Sequence, residues 1–261
     1  MRIATYNVEW FSALFDEAGR LIKDDSWSSR RDVTKAQQTA ALGQVFQAMD
    51  ADAVMIIEAP DTSRKRDGMA ALDGFAAAFG LRARRSLIGF VNDTQQEIAL
   101  LYDPDKLTAT HDPKGPETGH KGDAPRFDGE FHIDLDVDDR EDDVRFSKPP
   151  LEAAVTTKTG KSLRFIGAHL KSKAPHGARD AADVMRISIA NRRKQLAQCI
   201  WLRERVVQHL LAEEPLIVLG DFNDGPGLDA YEQLFGRSGV EIVLGIGQDP
   251  AQQLLDPHAK A

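Results

Sequence analysis

The sequence predicts an α+β protein in which two β-sheets, mainly antiparallel or mixed, pack together with helices outside. Three observations predict it. Strand-like runs outnumber helical ones. Two of them, residues 53–57 and 216–219, are wholly apolar, as suits strands buried on both faces. The strands also come both as hairpins and as units linked by helices, which is the pattern of packed sheets with outer helices.

The first unit, residues 3–8, is short, β-prone and apolar at both ends. A polar stretch from about 12 to 32, with Trp27, Arg30 and Arg31, has no clear periodicity and reads as a functional or mobile loop. Residues 34–49 read as a helix. Ala36, Ala40, Val45, Phe46 and Met49 recur at helical spacing, and Thr34 is the N-cap. Asp50-Ala51-Asp52 ends it, the apolar strand 53–57 follows, and Glu58 and Pro60 close that run.

Residues 87–90 and 98–102 are short strands, with Asp103-Pro104-Asp105 as a turn. Phe131, Ile133, Leu135 and Val137 alternate with His132, Asp134 and Asp136, the pattern of a half-buried strand. The acidic run 138–143 is then a solvated hairpin tip; it lacks the glycine and closing glutamate of a calcium loop. Residues 144–146, 151–156 and 163–166 continue the strand pattern. From 182 to about 212 a long helix is expected, with Ile189, Leu196, Cys199, Ile200, Val206, Val207 and Leu210 on one face.

Bulk properties narrow the function classes. With no repeat, low-complexity tract or flexible linker, residues 1–261 are expected to form a single domain. Hydrophobic residues at 42% and charged residues at 28% are ordinary for a globular protein. No apolar stretch approaches the ~20 residues that span a membrane, and the N-terminus lacks a signal-peptide pattern. The expected compartment is the cytoplasm, with no membrane partner. The single cysteine, Cys199, excludes an internal disulfide and a Cys-based zinc site, and its apolar stripe points to buried packing. A net charge of −8 argues against broad wrapping of nucleic acid but leaves room for a local cationic groove.

Four strands deliver polar residues at or just past their apolar runs: Asn7, then Glu58, then His169, then Asp221, Asn223 and Asp224. In open sheets, ligands gather at strand ends, where loops diverge and backbone groups are free. Together these ends offer carboxylates, amides and an imidazole to one cleft. Oxygen-rich sets of this kind suit Mg²⁺, which takes one or two carboxylates plus water and substrate phosphate. Singly, each has a plainer reading: Glu58 as a strand-end salt bridge, Asp221 and Asn223 as a turn, His169 as a satisfied core or rim histidine. Basic residues cluster just after His169. Lys171, Lys173 and Arg179 lie in a loop and are read as phosphate clamps, whereas Arg192, Arg193 and Lys194 are read as a solvated helix face.

Thr5-Tyr6-Asn7-Val8, Ile57-Glu58, Ala168-His169-Leu170 and Gly220-Asp221-Phe222-Asn223 resemble four ordered signatures of the endonuclease/exonuclease/phosphatase (DNase I-like) superfamily, over residues 1 to about 227. The resemblance implies a four-layer αββα sandwich. It implies Mg²⁺ or Mn²⁺ held by Asn7 and Glu58, a phosphate oxygen bound by His169, and an attacking water oriented by Asp221 and Asn223. The reaction would be in-line hydrolysis of a phosphoester substrate, nucleic acid being one candidate. A phosphatase of a small phosphorylated metabolite or lipid headgroup, and a non-catalytic phosphate-binding relative, are the alternatives. The family's closing Asp-His pair has no match among the 38 residues after Asn223, where Asp256-Pro257-His258 is the nearest candidate. The last strands are therefore expected to be missing, because the natural chain continues beyond Ala261 or because residues 1–261 are only its ordered residues.

Overall fold

The structure is a computed structural model and describes residues 1–30, 32–92, 94, 96–135, 140–225 and 236–256. In chain order the elements are β1 (Ile3–Asn7), α1 (Lys35–Met49), β2 (Ala53–Ala59), α2 (Gly68–Ala78), β3 (Arg85–Ile88), β4 (Glu97–Tyr102), β5 (Leu107–His111) and β6 (Thr118–His120). Then come β7 (Glu130–Ile133), β8 (Asp142–Val144), β9 (Leu151–Thr157), β10 (Ser162–His169), α3 (Ala181–Leu211), β11 (Leu216–Asp221) and α4 (Gly239–Leu244). They fall into two compact units.

The first unit holds residues 1–112, 147–168 and 217–220. Its two four-stranded sheets run β1-β2-β4-β3 and β11-β10-β9-β5. β2 explains how they pack. Ala53, Met55 and Ile57 join Leu107, Leu151, Val155 and Phe165 in the core between the sheets. Val54 and Ile56 point the other way, against Leu42 and Phe46 of α1 and Leu72 and Phe75 of α2. A strand clothed on both faces reads as an unbroken apolar run, and this one does. The sheet is mixed, since β1 pairs parallel with β2 and β4 antiparallel.

α1 starts as expected. Thr34 Oγ1 accepts from the Gln37 amide at 3.2 Å, and Gln37 Oε1 accepts from the Thr34 amide at 2.9 Å, a reciprocal capping box. Its buried face corrects the sequence reading, however: Gln38, Thr39, Leu42, Gly43 and Phe46 are inside, while Ala40 and Val45 are exposed. Gly43 is there for close approach, because a Cβ would sit 2.1 Å from the Phe79 ring. The polar stretch after β1 is also less open than expected. Phe11, Leu14 and Phe15 bury themselves against Phe46 and Phe75, and Arg30 is described while Arg31 lies outside the described residues.

The second unit holds residues 113–146, 169–216 and 221–261. Its sheet is β6-β7-β8, and Phe127, Phe131 and Phe146 pack around Trp201 of α3. β7 ends at Ile133, short of the expected alternation; residues 136–139 lie outside the described residues, and Asp142 and Asp143 belong to β8 rather than to a turn. Cys199 is buried, as its place predicts. The inward face of α3 is more polar than its apolar spacing suggests: Arg192, Gln195, Gln198 and Arg205 are all buried. Arg205 satisfies itself on the carbonyls of Lys114 and Ala124, at 2.5 and 2.6 Å. No helix among the described residues is long and apolar enough to cross a membrane.

Candidate active site

The sequence-selected residues fall into two sets, one in each unit. In the first unit, Asn7 ends β1 and Glu58 lies one residue beyond its β2 partner Ile57, so the two share one end of the sheet. Asn7 lines a pocket of about 690 Å³ together with Tyr6, Arg30 and Gln37. Arg30 in turn pairs with Glu9 at 3.1 Å.

Glu58 sits at a β-bulge between Ile57 and Ala59, with φ at 60°. Side chains alternate along a strand, so residue 58 would regularly share the helix-facing side with Val54 and Ile56. Ala59 holds that place instead. The bulge slips the register by one and re-aims the Glu58 carboxylate out of the core, as bulges beside sites commonly do. Gln96 Nε2 donates to Glu58 Oε2 at 2.8 Å, and Lys148 Nζ lies 3.8 Å from Oε1. Neither partner was singled out by sequence reasoning.

Glu97 was missed as well. It is 0% exposed and accepts from Asn92 Nδ2 at 2.7 Å. Burial pushes its pKa up from 4.5 to about 7; hydrogen bonds from Thr62 and Asn92 oppose this, and the Asp61 carboxylate adds to it. The available signal was a charged residue opening an apolar strand, Glu97-Ile98-Ala99-Leu100-Leu101.

In the second unit, His169 is 8% exposed at the end of β10. The next amide, that of Leu170, donates to the Asp221 carbonyl at 3.0 Å. Asp221 Oδ1 accepts from the Asn223 amide at 2.8 Å, and Asn223 turns with φ at 50°, a conformation asparagine tolerates. Asn223 Nδ2 then donates to the Leu170 carbonyl at 3.0 Å. Gln195 Nε2 of α3 donates to the carbonyls of Phe222 and Asn223, at 2.9 and 3.1 Å. The turn reading holds: this turn keeps Asp221 and Asn223 beside Leu170, the residue that follows His169.

The basic residues divide. Lys173 Nζ reaches Asp224 at 3.0 Å, and Asp224 is wholly buried, also accepting from the Gly239 amide. The Lys171 amide is held by Gln198 Oε1 at 2.9 Å. Lys194 corrects the sequence reading: it is half-buried, and burial together with the Lys171 ammonium pushes its pKa below the usual lysine range. Arg192 is 1% exposed and wedged against Gln195 and Asp224, while Arg193 pairs with Asp142. Arg179 is not gathered in: its side chain is 86% exposed and paired with Asp183. Of the Asp-Pro-His segment, Pro257 and His258 lie outside the described residues.

Among the described residues no three His, Cys, Asp or Glu side chains group as ligands for a metal ion. The donors at the end of the first sheet are instead one carboxylate and one amide, a set that fits a hard divalent cation completing its shell with water and substrate oxygens. Lys148 already brings positive charge to that carboxylate.

Two four-stranded sheets packed over one core, with helices on the outer face of the first, define a protein of the DNase I-like fold class. The sequence profile of the Endonuclease/Exonuclease/phosphatase family matches residues 4–257, and the chain belongs to that family. No curated protein matches. Similar solved structures include ANGEL2, a 2′,3′-cyclic phosphatase, in complex with adenosine-2′,3′-vanadate, at 13% identity and a TM-score of 0.41, covering 75% of this chain and 46% of that one. D. rerio TDP2 humanized by 14 mutations matches at 15% identity and a TM-score of 0.40, covering 76% and 58%. Truncated Caenorhabditis elegans TDP2 matches at 13% and 0.37, covering 71% and 54%. The chain thus spans about half the length of the structures it matches.

Proposed function

We propose that the chain is a divalent-metal-dependent hydrolase of phosphoester bonds, a phosphodiesterase or nuclease in its preferred substrate class. The observation that carries this reading is the register slip that turns the Glu58 carboxylate out of the core, at the same end of the sheet as Asn7, in a chain that belongs to this family. Asn7 and Glu58 would hold Mg²⁺ or Mn²⁺. When bound, the ion offsets negative charge on the phosphate and its leaving group.

The remaining steps belong to the chain's own residues. Asp221, fixed by the Asn223 turn, orients the attacking water and accepts its proton as the water oxygen bonds to phosphorus. The bond from phosphorus to the leaving oxygen breaks in the same displacement. His169 binds a non-bridging oxygen, and Lys171 with Lys194 attracts the incoming phosphate. The cytoplasm is the compartment that goes with this proposal.

Turnover of bis-p-nitrophenyl phosphate, compared with p-nitrophenyl phosphate, in Mg²⁺ or Mn²⁺ and then in a chelator tests the reading. Diester turnover that stops with the chelator is the expected result. Preference for the monoester would move the assignment to a phosphatase of small metabolites or lipid headgroups. Turnover indifferent to the chelator would overturn metal dependence.

A further inference from the structure

The first unit carries a second unusual residue at the end where Glu58 lies. Trp10 has φ at 64° and ψ at 23°, left-handed geometry that a bulky side chain rarely adopts, and the residue is 45% exposed. The local packing forces this. The Phe11 amide donates to the Val8 carbonyl at 3.1 Å and the Ala13 amide to the Trp10 carbonyl at 3.1 Å. Phe11 meanwhile drives into the core against Phe15, Phe46 and Phe75. With Phe11 anchored inside, Trp10 is held outside.

Trp10 and Glu58, both non-glycine residues in the left-handed region, line one pocket of about 320 Å³ with Ser12, Asp61, Arg66 and Gln96. Backbone strain kept at two positions of one pocket is a mark of a binding or catalytic role. An exposed indole also leaves a large apolar face in water, where a ligand's ring could cover it. The rim is polar: Arg66 pairs with Asp61 at 2.5 Å, Ser12 Oγ donates to Asp61 at 3.3 Å, and Gln96 is fixed on Glu58.

We propose that Trp10 is a specificity-determining residue, and that its indole stacks on a nucleobase next to the phosphoester being cleaved. This rests on the hydrolase reading above and narrows its substrate class to nucleotide esters. A base presents both a π-face for the indole and a polar edge for the rim. A sugar phosphate has no such face, and a lipid tail would meet Asp61, Arg66 and Glu58. The volume lies at the small end of ligand pockets, roughly 300–1,000 Å³, and suits one base rather than a duplex.

Calorimetric binding of adenosine 5′-monophosphate and of ribose 5-phosphate separates the base from the phosphate. The wild-type protein is expected to bind the nucleotide roughly ten-fold more tightly, in keeping with stacking on an aromatic side chain. Trp10→Ala is expected to remove that preference while leaving ribose 5-phosphate binding unchanged, and Trp10→Phe to keep most of it. Trp27→Ala, at a residue 69% exposed elsewhere in the unit, is the control and should change neither. Equal affinity for the two ligands in the wild type overturns the inference, as does a preference that survives in a folded Trp10→Ala variant or the failure of both ligands to bind. If metal-dependent diester turnover persists through any of these results, the hydrolase reading stands and only the nucleobase assignment falls.

Discussion

Glu97 gives the fold a pH dependence that can be worked out from its surroundings. Its carboxyl is fully buried in the native chain, and burial raises its pKa from 4.5 to about 7. In the unfolded chain it would titrate near 4.5. Between those values the native state binds one more proton than the unfolded state, so the free energy of unfolding falls as pH rises, by about 1.4 kcal/mol per pH unit. The stabilisation is complete below about pH 4.5 and lost through pH 7, a total on the order of 3 kcal/mol. Glu97→Gln keeps the shape and removes the titration. Urea denaturation of both proteins at pH 5, 6, 7 and 8 is expected to show the wild type losing roughly 2.5 kcal/mol relative to the variant across the series, the rest being lost already at pH 5. His120, raised by its hydrogen bond to Glu141, and Glu204, raised by burial, contribute to both curves and cancel in the difference. Parallel curves would refute the reasoning, since they would mean that Glu97 is ionised in the native state at all these pH values.

Three further outcomes are expected. Glu58→Gln should weaken Mg²⁺ binding at least ten-fold by replacing a charged ligand with a neutral amide; unchanged binding in calorimetry removes Glu58 from the metal site. Asp221→Asn should lower kcat at least a hundred-fold, the low end of a lost general base, with an unchanged circular dichroism spectrum; near-wild-type turnover removes Asp221 from the mechanism. Asp224→Ala should destabilise the chain by about 3–5 kcal/mol, because it strips a buried carboxylate from the guanidinium of Arg192. A loss under about 1 kcal/mol in urea denaturation would show that Asp224 is not a structural anchor.

The sequence makes the apolar strands legible because both faces of β2 and one face of β10 are lined by carbon, and periodicity reports carbon. It makes the polar strand ends legible for the complementary reason: Asn7, Glu58, His169 and Asp221 each interrupt such a run. What it hides is polarity that is satisfied indoors. Arg205 is buried on backbone carbonyls and Arg192 on Gln195 and Asp224, so an inward face of α3 looks like an outward one. Lys194 is hidden by the same ambiguity, its neighbour Lys171 lying more than twenty residues away in the chain. Gln96 and Lys148 are also distant in sequence from the carboxylate they support, and no spacing rule connects them to Glu58.

The bulge after Ile57 shows how one strand can serve a core and a site together. Regular alternation would require residue 58 to be apolar, since its side chain would enter the layer occupied by Val54, Ile56, Phe46 and Phe75. A buried carboxylate there would carry a large desolvation cost. Slipping the register by one residue lets Ala59 fill that layer and puts Glu58 at a pocket wall, at the cost of a left-handed backbone. Such strain persists only where the surroundings over-determine it. Here the β4 pairing on both sides of the bulge and the Gln96 hydrogen bond do so. The hydrophobic pattern of β2 and its departure from pattern at Glu58 therefore have one cause: the strand closes a core along its length and turns a carboxylate to a pocket wall at its end.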